Sequence, residues 1–417
     1  MKRRIFILLL TLTMAVSTIA CSTSSTSAST DDSQTESTEQ SSSNSNKKSA
    51  QASAASTTET AIEYKALDVK TDWEDAATIT IDGDDVSIDG SGATYSDGVI
   101  TITDGGAYTI SGSSDDIQIV VNSEKNVKLI LNGVDLYNDD GPVIYGENAK
   151  NLYIELAANT TNTLEDGDDY ATDSDGNPIG KATIFSEDDL IILGDGTLNI
   201  TGNYKHVIAS DDDLYIESGT LNITSNVKDG MHANDLVVID GGTINLTSAN
   251  EGIESENSIY INGGTIDVNS QDDGINSGVY MEINGGTITV YSEYNDALDS
   301  NGGYEGCITI NGGTLDLTSA ESPEEPIDTD WYGEIINGGD VTTHTNGNSS
   351  MGQGGMGGRG GGNGGQMPNG DRPDDGNFPS DGQMPERNGM QNKDGKGNFT
   401  QENTTNSTTN QSTDDTL

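Results

Sequence analysis

Carboxylates recur at Asp229, Glu251, Asp273, Asp296 and Glu325, each two residues before an aliphatic side chain and spaced by about 22 residues. A second polar position follows each aliphatic, at His232, Glu254, Asn276, Asp299 and Asp328. Carboxylate and amide oxygens in register form the donor set of a hard cation, which takes about six to eight oxygens. Like charges about 5 Å apart repel by roughly 1 kcal/mol even in water. A ladder of them therefore binds a cation or stands fully solvated as an acidic turn. Repetition over successive coils favours the cation, and calcium is the expected ion. Its candidate ligands are Asp229, Glu251, Glu254, Asp273, Asn276, Asp296, Asp299, Glu325 and Asp328. The ladder is expected to begin at Asp229, because His206 stands where the preceding coil would carry its acid. Zinc is disfavoured, since His232 is the one histidine within the ladder and no cysteine joins it.

The elements that must position these residues show in the same period. Gly-Thr pairs end at Thr197, Thr220, Thr243, Thr265, Thr287 and Thr314. A repeat this short cannot bury its own apolar face, so copies must stack. Before each Thr stand Leu193, Ile216, Ile239, Ile261, Ile283 and Ile310, with Ile191, Leu214, Val237, Ile259, Met281 and Ile308 two residues further back. After it come pairs such as Leu221/Ile223 and Ile266/Val268, and a third column runs Ile184, Ile208, Met231, Ile253, Ile275, Leu298 and Ile327. Period-two alternation marks strands with one buried face, and Asn-Gly-Gly marks the corner between two of them. Three short strands per turn without a helical period define an all-β, single-stranded right-handed parallel β-helix, with coils of about 22 residues rising about 4.8 Å each. Residues 76–164 read as less regular coils and 165–181 as an inserted loop. The acidic run Asp166–Asn177 in that loop lacks the glutamate that would complete an EF-hand. Trp73 and Trp331 are expected at the capped ends.

The ends differ in kind. Lys2-Arg3-Arg4 and the apolar run Ile5–Val16 read as a signal peptide over residues 1–20. Ala20-Cys21 fits lipid attachment at Cys21, although Thr18 stands where Leu is usual. Residues 21–60 read as a Ser/Thr-rich tether, 61–345 as the solenoid domain, and 346–417 as a disordered Gly/Asn/Met-rich tail. The expected location is therefore extracellular, anchored to the cell membrane through lipidated Cys21, with the chain a monomer. With Cys21 so used, Cys307 has no disulfide partner. The net charge of −51 argues against nucleic acid, whose backbone needs clustered Lys and Arg. No Arg occurs between Arg4 and Arg359, and no Lys between Lys228 and Lys393.

The segments Ala182–Leu190, Gly202-Asn203-Tyr204 with Ile208-Ala209-Ser210, and the Asp-Gly-Ile turns resemble the secreted bacterial carbohydrate-binding β-helix proteins, over roughly residues 70–340. That resemblance implies a pectate-lyase-like fold, calcium between coils, and binding of polysaccharide, either acidic and pectin-like or a β-glucan. Lys205-His206-Val207-Ile208 departs from it, where Asn-Asp-Gly-Ile is expected, and so loses a carboxylate. Outward Tyr215, Tyr260 and Tyr291, with Tyr153, could stack on sugar rings. The outward column Ile192, Tyr215, Val238, Tyr260, Glu282, Thr309 holds no continuous aromatic row, and packing is the competing reading. A lyase needs a base beside the cation, for which Lys228 and Lys205 are the available residues, Lys228 the better placed. A hydrolase needs a defined carboxylate pair, which nothing marks out. A structural surface spacer is the third reading.

Overall fold

The computed structural model describes residues 60–66, 70, 72–330 and 332–349. The signal peptide, Cys21, all of the tether but Thr60, Trp331, and the tail from residue 350 lie outside them. Among the described residues every regular element is a β-strand. They wind as a parallel β-solenoid with three strands per coil.

The first ladder takes in Ala182–Ser186, His206–Ser210, Met231–Ala233, Ile253–Ser255, Ile275–Ser277, Leu298–Ser300 and Ile327–Asp328, within an 11-stranded sheet. The second takes in Leu190–Gly194, Asp213–Ile216, Leu236–Ile239, Ser258–Ile261, Tyr280–Ile283, Ile308–Ile310 and Ile335–Ile336. The third runs from Thr197–Gly202 to Asp340–Ser349, past residue 345. Thr220 pairs with Thr243, Thr243 with Thr265 and Thr265 with Thr287, in steps of 22 or 23 residues. The step to Thr314 is longer and accommodates the turn around Tyr304.

The alternating aliphatics face inward. Ile208, Met231, Ile253, Ile275 and Leu298 stack in one column, all fully buried, within a single apolar cluster reaching from Ala77 to Leu317. At the corner between the second and third ladders, Asn284 donates to Asn262, Asn311 to Asn284 and Asn337 to Asn311, each at 2.8 Å. The following glycines adopt positive φ, as at Gly286 (100°), a conformation open to Gly at little cost.

One register differs from the sequence alignment. Leu190 and Ile192 pair with Leu214 and Ile216, so Ile191, not Ile192, stands beside Tyr215 on the outer face. The corner Gly194-Asp195-Gly196 takes up the extra residue, which an alignment anchored on Thr197 cannot register. That outer face is covered. Residues 60–66 lie across it: Ile62 donates its N–H to Asn257 and Ser258, and Tyr260 Oη donates to Ile62 O at 3.0 Å. Trp73, expected at a capped end, instead meets Tyr153 edge-on at 5.0 Å and packs with Tyr64 against the outer-face cluster of the second ladder.

Candidate metal centre

The acidic columns stand where the chain enters the first ladder. At Gly252 and Gly274, between acid and aliphatic, neighbouring atoms leave no room for a side chain, whereas Val207, Ala297 and Pro326 fill the same position in other coils. A Cβ on Gly274 would lie 2.1 Å from Val290 Cγ1 and 2.5 Å from Ala297 O, and one on Gly252 would lie 2.3 Å from Val268 Cγ1. Close approach, not a left-handed backbone, demands Gly here.

The structure divides the ladder into two clusters of different character. In the first, Asp229, Glu251 and Glu254 place carboxylate oxygens within 4.8 Å of one another. Lys228 Nζ lies 2.7 Å from Asp229 Oδ2 and 3.5 Å from Glu254 Oε2. Asn250 donates to Asp229 Oδ1 at 2.9 Å. Burial opposes the ionisation of Asp229, but the approach of His206, Glu254 and Lys228 outweighs it and holds the carboxyl well below its usual range. Glu251 bears the cost. Burial first, then Glu254 and Asp229, push it up to about 9. Its Oε2 is buried without a partner, while Oε1 accepts from Asn276 at 3.3 Å.

In the second cluster, Asp296, Asp299 and Asp328 also bring oxygens within 4.8 Å. No Lys or Arg follows Lys228 among the described residues, so nothing basic offsets this group. Burial, with Asp328 and Asp299, raises Asp296 to about 8. Burial, with Asp328 and Asp330, raises Asp299 to about 7. Asp273 is raised well above its ordinary value by burial and by Asp299 and Asp296. Its Oδ1 accepts the Asp296 N–H at 3.0 Å. Glu325 turns its side chain outward and contributes its N–H to Asp296 Oδ1 instead. The uncompensated ladder therefore begins one to two coils beyond Asp229, whose charge Lys228 already meets.

The sequence leads one to expect His206 as a gap in the acidic ladder. It is instead part of a third convergent group with Asp229 and His232, all buried. The two imidazoles stack at 4.3 Å between centroids, 22° from parallel. The signal was present, since His206 occupies the Asp229 column and His232 the adjoining one a coil later. Spacing alone does not show that the two rings meet: His206 pairs with Ala182 and His232 with Ala209 and Glu254, positions outside the inward aliphatic column.

The tyrosines divide as well. Tyr215 and Tyr260 are 5% and 6% exposed. Tyr64 packs on Tyr260 at 5.6 Å, so neither ring presents an open face to a sugar. Tyr291, on the third ladder, is exposed.

A family model of carbohydrate-binding domain-containing proteins matches residues 96–349 and 247–416, and the chain belongs to that family. A carbohydrate-binding domain-containing protein of Acetivibrio thermocellus is 34% identical over 137 residues, which is 32% of this chain and 48% of that protein. The match thus spans about half the length of that relative. Among solved structures, a polysaccharide lyase-like protein from C. thermocellum, studied as a gadolinium derivative, has a TM-score of 0.45 and 27% identity. It covers 66% of this chain and 98% of its own.

Proposed function

We propose that this chain is a non-catalytic polysaccharide-binding solenoid that carries calcium on its acidic corner. In this reading it works as a monomer on the outer cell surface, tethered through lipidated Cys21. The observation that carries it is the second cluster: buried and half-buried carboxylates that converge within 4.8 Å with no basic partner among the described residues. Asp296, Asp299 and Asp328, with Asp273 beside them, would hold the ion through oxygen alone, as calcium requires. Bound there, calcium supplies fixed positive charge on a strongly negative protein, where the carboxylate of an acidic sugar can dock. Family membership supports a polysaccharide partner, acidic and pectin-like or a β-glucan, and exposed Tyr291 remains available for ring stacking. Depletion binding to polygalacturonate and to β-glucan, with and without chelator, tests the proposal. Binding to either that vanishes with chelator and returns with calcium is the expected result. Binding indifferent to calcium overturns it.

One observation favours a second reading, a polysaccharide lyase. Lys228 is engaged by two carboxylates, and its pKa is raised despite burial, which unfits it as a base. Lys205 is half-buried, and burial followed by Lys228 and Lys181 lowers its pKa, as a proton-abstracting amine needs. Release of ultraviolet-absorbing unsaturated uronides, lost in Lys205→Met, would establish this reading over the first.

A further inference from the structure

We infer that His206, Asp229 and His232 form a second metal site, selective for a nitrogen-preferring divalent ion such as zinc and separate from the oxygen-only cluster around Asp296. His206 is fully buried, and neither of its ring nitrogens has an aligned hydrogen-bond partner. Its Nδ1 lies 2.9 Å from Asp229 Oδ2, a close contact that lacks hydrogen-bond alignment. A buried polar group left in this state calls for an ion or a water. His232 Nδ1 stands 3.9 Å from the same oxygen and 2.7 Å from Glu254 Oε2, so Glu254 offers a fourth donor. Around a tetrahedral zinc, with bonds of about 2.0–2.1 Å, ligand atoms sit roughly 3.3 Å apart. The separations of 2.9 and 3.9 Å straddle that value, within the reach of small side-chain rotations. Two imidazoles with one or two carboxylates suit zinc, cobalt or nickel and not calcium, which takes oxygen.

Lys228 occupies the place of the ion's charge. Its ammonium lies against Asp229 and Glu254, yet the side chain is 35% exposed and has a path to swing out. The amine and the metal compete for one carboxylate. Removing the amine therefore tightens metal binding, an effect that a purely structural histidine pair would not show.

The test is a Co2+ titration of the chelator-stripped full chain in excess calcium, which occupies the oxygen-only cluster. The readout is the visible d–d absorption of four-coordinate Co2+ and its loss on adding Zn2+. One equivalent per chain should bind. His206→Ala and His232→Gln should each weaken it by more than about 100-fold, beyond the 10–100-fold typical of outer-sphere partners, and Lys228→Met should strengthen it. Ala182 fills the position of His206 one coil earlier, so the alanine is a side chain this corner already accepts. Should that variant fail to fold, His232→Gln and Lys228→Met decide the matter alone. Absence of the band, a band that survives His232→Gln, or weaker binding by Lys228→Met overturns the proposal.

Discussion

Asp296 and Asp299 are carboxyls whose ionisation the fold opposes, and the direction of that effect sets the pH behaviour. In the unfolded chain both release their protons near pH 4. In the folded protein they hold them to about 8 and about 7. Between those limits the native state binds more protons than the unfolded state, so its stability is full below about pH 4 and falls as pH rises toward 8. Calorimetry in chelator should show a melting temperature at least about 5 °C lower at pH 8 than at pH 5. Saturating calcium should flatten or reverse that slope. Asp299→Asn separates the two roles of the residue. By isothermal titration it should weaken calcium binding at least about tenfold, while in chelator at pH 8 it should raise the melting temperature, because it removes a buried charge among like charges. At this scale the candidate donors were legible in the sequence, since type and spacing suffice to find carboxylates. The partition between Lys228-neutralised Asp229 and unpaired Asp296 was not. It depends on which amine reaches which oxygen across coils.

The corner between acid and aliphatic is the element that makes the site. Gly274 is held there by the approach of Val290 and Ala297. Gly274→Ala forces the coils apart and should cost about 1–3 kcal/mol or more, read as a lower denaturant midpoint. It should also weaken calcium binding, since Asp273 and Asp296 lie on the two coils displaced. The glycine was legible as a turn or a close approach, and the structure decides for the approach. The covering of the second ladder was not legible. Residues 60–66 lie nearly 200 positions from Asn257 and Tyr260 in sequence, and no local pattern announces such a contact. Tyr215 and Tyr260 alternate as solvent-facing residues do, yet are buried by it.

Across the whole molecule, the charge of −51 opposes compaction, and stacking concentrates it along columns. Salt screens exposed charges within a Debye length of about 10 Å at 0.1 M. The melting temperature in chelator should therefore climb as sodium chloride rises from about 0.01 M to about 0.5 M. Calcium should raise it further at fixed ionic strength, while magnesium, which demands a tighter octahedron, should do so less. What the sequence by itself determined was the solenoid: its period, its three ladders and, outside the coil of Leu190–Gly194, the columns facing inward. Alternation and glycine corners are local, and a repeat that cannot bury itself has no option but to stack. Only the tertiary structure decided which column members are neutralised, which are covered, and that His206 joins His232 around Asp229. Those outcomes depend on side chains meeting across coils and on the covering segment at residues 60–66, distances that spacing along the chain does not encode.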